Sequence, residues 1–192
     1  MNSELWGLKE AMARIAELEA ENVELKADNE ALRRLSRRDG LTDLLNRRGG
    51  LEEWQSACHE AMRRNEPISI VFIDLVGFKA INDAYGQPGG DKMLQAVAGV
   101  LRGRVRRADR VVRPGGDEFI LILPRTDDAG CRLTVERVTE GLDALRVKLN
   151  GNGVTSVRAR FAIATEMLPR TTSPLGMWDD VGTRIKADKS ND

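Results

Sequence analysis

The chain has 192 residues, with 30 basic and 30 acidic side chains and a formal charge of zero, so bulk electrostatics selects neither a nucleic-acid polymer nor an anionic membrane as partner. Apolar residues make up 41%, enough for the core of one ordinary domain plus an extension, and the longest apolar runs, Ile70–Ile73 and Phe119–Leu123, fall far short of the roughly 20 residues that cross a bilayer. Two cysteines, Cys58 and Cys131, and one histidine, His59, argue against a disulfide framework and histidine-rich metal sites; since MNSELWGLKEAMARI does not read as a secretion signal, the expected location is the cytoplasm.

Residues 3–37 contain no proline and one glycine, Gly7, and their apolar positions recur at alternating steps of three and four. With Leu8 at heptad position a, Ala11, Leu18, Leu25 and Leu32 fall at d, and Ile15, Asn22, Asn29 and Ser36 at a. In a parallel dimer each g residue faces the following e residue of the other chain. Those pairs, Arg14–Glu19, Glu21–Lys26 and Asp28–Arg33, are all opposite in sign. Leucine at d favours two parallel strands, and Asn at a pairs with its symmetry mate and fixes the register. The expectation is a domain over 1–37 that forms a parallel homodimeric coiled coil through residues 3–37. The alternative is a long helix whose leucines pack back on its own domain. The cluster Arg33, Arg34, Arg37 and Arg38 follows the zipper, whereas DNA-binding zippers carry their basic region ahead of it.

The coil gives way at Arg38-Asp39-Gly40. In DGLTDLLNRRG, residues 39–49, polar turn formers surround Leu41, Leu44 and Leu45, and Leu51–Arg64 reads as an amphipathic helix stopped by Asn65-Glu66-Pro67. Ile68–Ile73 is apolar on both faces and rich in β-branched residues, which suits a central strand, and it runs straight into Asp74. Two helical segments follow at about 78–85 and 90–105, separated by Gly86-Gln87-Pro88-Gly89-Gly90. Arg110–Arg113, the turn Pro114–Asp117 and Glu118–Leu123 read as a β-hairpin. Asp127–Lys148 reads as a helix, Thr155–Ala164 as a strand and Trp178–Ala187 as a short final helix. Strands alternating with helices predict an α/β or α+β sandwich, with helices covering a mostly antiparallel sheet.

Asp74 and Asp117 stand out because each lies at the end of a hydrophobic strand, Asp117 beside Glu118. A carboxylate at a strand end costs little to keep charged, but two brought together repel unless a cation lies between them. Hard oxygen donors without His or Cys point to Mg²⁺ rather than zinc. Gly115 and Gly116 leave backbone room for a phosphate and N–H groups that can donate to it. The competing explanation is an ordinary hairpin turn, where Gly-Gly-Asp is common.

The combination goes further. RPGGDEF at 113–119, preceded by FIDLVGFKAINDAYGQPGGD at 72–91 and DGLTDLLNRRG at 39–49, resembles the GGDEF family of diguanylate cyclases over a domain at 38–192. The resemblance implies an α+β, palm-like nucleotidyl-cyclase sandwich with a central antiparallel sheet, and a reaction in which two GTP molecules, one on each protomer, condense to cyclic di-GMP and two pyrophosphates. It implies that Asp74, Asp117 and the Leu75 backbone carbonyl bind two Mg²⁺ (or Mn²⁺) ions per active site, and that Glu118 assists deprotonation of the attacking 3′-hydroxyl. By the same resemblance, Asn82 and Asp91 read guanine, while Phe78, Lys79, Gly115, Gly116 and Lys186 take the phosphate side. Arg106 and Asp109, in Arg106-Arg107-Ala108-Asp109, match an RxxD site where cyclic di-GMP inhibits its own synthesis.

Several positions depart from the family pattern. Val76 stands where a second Asp is usual, Gln87 where a His is usual, and Pro114 where an aromatic is usual. Arg160-Phe161-Ala162-Ile163 occupies the place of a Ser-Ile-Gly strand, and Ser190 that of an arginine. A catalytically degenerate module that binds cyclic di-GMP or GTP and signals through its coil is therefore the alternative to an active cyclase.

Overall fold

The computed structural model describes residues 37–149 and 154–166, together with residues 12, 14–19, 21–22, 26 and 183. The chain separates into two compact units, Met1–Ser36 and Arg37–Asp192. In the first, the described residues are helical and solvent-exposed, Met12, Ile15 and Leu18 among them.

The second unit is built on a four-stranded sheet in the order β2-β3-β1-β6, antiparallel throughout. Its elements are α1 (Arg47–Arg64), β1 (Ile68–Val76), α2 (Phe78–Arg104), β2 (Arg110–Gly115), β3 (Glu118–Pro124), α3 (Asp128–Asp143) and β6 (Arg158–Glu166), with a small separate ribbon of β4 (Val147–Lys148) and β5 (Val154–Thr155). This is the expected α+β sandwich. Side chains alternate across a strand, and β1 sends Val71, Ile73 and Leu75 into one core with Leu94, Val97, Leu101, Val138 and Leu142 of α2 and α3. Ile68, Ile70 and Phe72 enter a second core with Trp54 and Cys58 of α1. Helices on both faces explain why β1 is apolar without alternation. Among the described residues, no helix is long and apolar enough to cross a membrane.

Several boundaries differ from the sequence expectation. Helix α1 starts at Arg47 rather than Leu51, because the Asn46 side chain caps it by accepting from the Gly49 N–H at 2.9 Å. Gly49 and Gly50 therefore lie inside the helix, and a Cβ on Gly50 would run into the Val112 side chain. The break in α2 is confined to Gly86, at φ 67° and ψ 174°. Pro88 sits in the first turn after the kink, where its missing N–H costs nothing, and Gly89 and Gly90 are helical and buried. Helix α3 ends at Asp143, not Lys148. Val147 and Leu149 are buried on either side of exposed Lys148, a strand period that pairs Val147–Lys148 with Val154–Thr155. The strand expected at Thr155–Ala164 is correspondingly split between β5 and β6. The final helix expected at Trp178–Ala187 lies outside the described residues except for Thr183.

Candidate active site

The end of β1 gathers the acids. Asp74 has Glu118 of β3 directly opposite on one side and Arg160 of β6 on the other, and the Leu75 N–H donates to the Asp117 carbonyl at 3.3 Å. Register and one backbone hydrogen bond thus bring Asp74, Leu75, Asp117 and Glu118 together at one end of the sheet. Asp74 is only 1% exposed, which corrects the expectation of a cheaply solvated strand-end carboxylate. The Arg160 guanidinium forms an ion pair with it, Nη2 lying 3.7 Å from Oδ2. The sequence alone shows Arg160 only as part of a strand, since its place opposite Asp74 is set by a pairing that spans much of the domain.

The turn is two residues, Gly116-Asp117, between β2 and β3, with a register shift between Val112 and Gly115. Gly115 and Gly116 hold φ 153° and 56°, backbone that favours glycine, and the space above both is open. Arg113 clamps this turn. Its Nε and Nη2 donate to the Gly116 carbonyl at 3.1 and 2.8 Å, and Nη1 donates to both carboxylate oxygens of Asp39 at 2.9 and 3.1 Å. Asp39 also accepts from the Thr42 N–H at 2.9 Å and from its hydroxyl. Burial pushes the Asp39 carboxyl up, but hydrogen bonds from Thr42 and Arg113 and the arginine charge outweigh it, holding the group below its ordinary value. The sequence alone shows no role for Asp39, Thr42 or Arg113, although they fall within DGLTDLLNRRG and RPGGDEF.

The residues expected to hold the nucleotide, Phe78, Lys79, Asn82 and Asp91, lie between the start of α2 and its midpoint. Gly77, at φ 76°, takes the chain from β1 into the helix, so Phe78 and Lys79 follow Asp74 and Leu75 within a turn. The kink at Gly86 brings the second half of α2 back onto the first. A Cβ on Gly90 would collide with the Asn82 side chain and meet Phe78 Cζ at 3.1 Å, so Gly90 makes room for Asn82 next to Asp91. Lys79 is exposed and Asn82 and Asp91 half-buried. Lys186 lies outside the described residues.

Arg106 and Asp109 close a tight turn at the opposite end of β2. The Arg106 N–H donates to Asp109 Oδ2 at 2.7 Å, and the Asp109 N–H donates to the Arg106 carbonyl at 3.0 Å. Burial pushes the Asp109 carboxyl above its ordinary value, against the opposing pull of the Arg106 N–H and nearby arginines. The two residues line a cleft of about 500 Å³ with Arg37, Arg38, Arg102 and Arg107. A strand of this length separates this cleft from the glycine turn by about 17 Å.

Among the described residues, no three acidic, histidine or cysteine side chains group to hold a metal ion. The donor set expected from the sequence is two carboxylates, Asp74 and Asp117, and the Leu75 carbonyl. That fits Mg²⁺ or Mn²⁺, which favour hard oxygen and are commonly held by one or two carboxylates completed by waters and substrate phosphates.

Comparison with known proteins gives the same picture. The family described as "Diguanylate cyclase, GGDEF domain" matches residues 36–189. The chain is 31% identical over 165 residues to the diguanylate cyclase TpbB of Pseudomonas aeruginosa, covering 86% of this chain and 35% of TpbB. It is 38% identical over 112 residues to the bifunctional diguanylate cyclase/cyclic di-GMP phosphodiesterase MucR of the same species, covering 58% of this chain and 16% of MucR. The chain therefore spans about a third or less of these curated relatives. Among solved structures, the coiled coil and GGDEF domain of DgcB from Caulobacter crescentus, in complex with c-di-GMP, matches with a TM-score of 0.74 and 26% identity, covering 93% of this chain and 94% of that one. The isolated GGDEF domain of TpbB from Pseudomonas aeruginosa matches with a TM-score of 0.73 and 29% identity, covering 81% and 90%. On the family match, the ordered motifs and the shared fold, this chain belongs to the GGDEF family of diguanylate cyclases.

Proposed function

We propose that the chain is a diguanylate cyclase acting as a homodimer, and that it joins two GTP molecules into cyclic di-GMP. The observation that carries this is the convergence of Asp74, Leu75, Asp117 and Glu118 at one end of the sheet, beside a glycine turn with open space above it. In each of two steps the 3′-oxygen of one nucleotide attacks the α-phosphorus of the other. A new P–O bond forms, the bond to the β-phosphate oxygen breaks, and pyrophosphate leaves.

Asp74, Asp117 and the Leu75 carbonyl would hold the divalent cations, two per site. When bound, such ions lower the pKa of the 3′-hydroxyl and stabilise charge on the departing pyrophosphate. Glu118 stands beside Asp74 to receive the hydroxyl proton. Gly115 and Gly116 admit the triphosphate close to backbone N–H groups, with Phe78, Lys79 and Lys186 on the phosphate side. Asn82 and Asp91 read guanine from the kinked helix. The coil at 3–37 raises the effective concentration of one half-site near the other and supplies two-fold symmetry. Arg106 and Asp109 bind the product, and GTP as substrate places the reaction in the cytoplasm.

The test is incubation of the purified protein with GTP and Mg²⁺ and identification of the product. Cyclic di-GMP is expected from wild type and none from Asp117→Ala, and absence of product over a range of protein and divalent-ion concentrations sinks the proposal. A second reading, a binding module without turnover, is favoured by Val76 and by Arg160 beside Asp74. Calorimetry showing nucleotide binding without product would select it.

A further inference from the structure

Read across the sheet, Glu118, Asp74 and Arg160 form one row on three adjacent strands. Directly opposed residues in antiparallel strands share a face, so the row runs acid, acid, base. Asp74 is 1% exposed and the Arg160 side chain 26% exposed, with 3.7 Å between Nη2 and Oδ2. Burying a carboxylate this deeply beside a second acid is unfavourable unless positive charge stands nearby. Arginine supplies that charge at every accessible pH.

The same carboxylate is the one the proposed function gives to a divalent cation, and the inference rests on that reading. A cation arriving at Asp74 meets the guanidinium already paired with that carboxylate. The two compete for one carboxylate, because like charges at this separation repel strongly in a poorly solvated site. We propose that Arg160 is a built-in counter-ion of Asp74, a positioning residue that a divalent cation must displace. Occupation of the site by metal and pairing of Arg160 with Asp74 are then mutually exclusive, and the site is set to a weaker metal affinity than its donors alone would give.

The experiment measures Mn²⁺ binding to the full chain without nucleotide, from the electron paramagnetic resonance signal of free Mn²⁺, for wild type, Arg160→Gln, Arg160→Lys and Asp74→Asn. Removing the competing charge in Arg160→Gln is expected to tighten Mn²⁺ binding by about tenfold, the size of a modest opposite-charge effect at a carboxylate. Arg160→Lys should stay near wild type, and Asp74→Asn should lose the site. In thermal melts, Arg160→Gln should unfold at lower temperature than wild type without metal and gain more from added Mn²⁺. A measurement on wild type alone guards against poor folding of the variants: the Arg160 side-chain Nε–H should become more mobile by NMR on saturation with Mg²⁺. If Asp74→Asn loses binding but Arg160→Gln binds no more tightly than wild type, the counter-ion role is overturned while Asp74 stands as a ligand. If Asp74→Asn binds Mn²⁺ as wild type does, or no variant binds it, the reading of Asp74 as ligand fails and the inference fails with it.

Discussion

Replacing Arg113 with methionine should release the glycine turn from the start of the domain. The side chain is 10% exposed and that of Asp39 19%, so the substitution strands a largely buried carboxylate with only Thr42 to satisfy it. Breaking a fully buried pair from one side costs about 3–5 kcal/mol, and hydrogen bonds to charged groups are worth about 1.5–3 kcal/mol. The partial exposure of Asp39 puts the expected loss near 3 kcal/mol, to which the exposed Gly116 carbonyl adds little because water replaces its donors. For a domain of this size each kcal/mol moves the melting temperature by about 2–4 °C, so Arg113→Met should melt about 6–12 °C lower. GTP turnover should fall by about tenfold or more as the turn loses its fixed position. The Asp39 carboxyl titrates lower in the folded chain than its ordinary value of 3.8, so its charge-dependent stability is full above that value and is lost as pH falls through the lower folded value. The melting difference between wild type and Asp39→Asn should accordingly hold steady from neutral pH down to about 5 and narrow below about 4. An Arg113→Met protein melting within about 2 °C of wild type, or an Asp39→Asn difference that grows in acid, would refute the clamp.

Three further predictions follow from packing and charge. Gly50→Ala drives a methyl group into Val112 and should destabilise the domain by about 1–3 kcal/mol in denaturant melts. Asp109→Asn removes a charge that burial disfavours while keeping an acceptor for the Arg106 N–H, so it should melt no lower than wild type at neutral pH yet weaken cyclic di-GMP binding in calorimetry. Leu18→Glu places a charge at a heptad d position and should shift the chain from dimer to monomer in sedimentation, with cyclic di-GMP synthesis falling alongside.

What the sequence made legible was the part governed by local chemistry. The uninterrupted apolar run of β1, the glycine turn and the placement of Asp74 and Asp117 at strand ends could all be read because each depends on a few neighbouring residues. Where a distant contact decides the outcome, local pattern misleads. Gly49-Gly50 looked like a loop, but a close approach to Val112 is what requires glycine there, inside a helix. Gly89-Gly90 looked like a break, but only Gly86 breaks α2 and Gly90 is needed as space for Asn82. The end of α3 was overrun because Val147–Leu149 alternates over too few residues to outweigh the helical pattern before it. Asp39, Arg113 and Arg160 went without roles for the same reason: each acts through a partner on another element that only the folded sheet brings alongside.

The central position of β1 also bears on the order in which the domain is assembled. Its two neighbours in the sheet come from well downstream, β3 from residues 118–124 and β6 from residues 158–166. As the chain leaves the ribosome, the hairpin of β2 and β3 can form locally and dock on β1 first, uniting Asp74 with Glu118. β6 must close a loop about twice as long, which adds about 0.6 kcal/mol of entropy and delays the last pairing until nearly all of the domain has been made. Until then one edge of β1 remains open to other strands, and Asp74 lacks Arg160. A nascent chain stalled before β6 should therefore hold its two acids together without their basic neighbour, with an unpaired apolar strand exposed to misassembly.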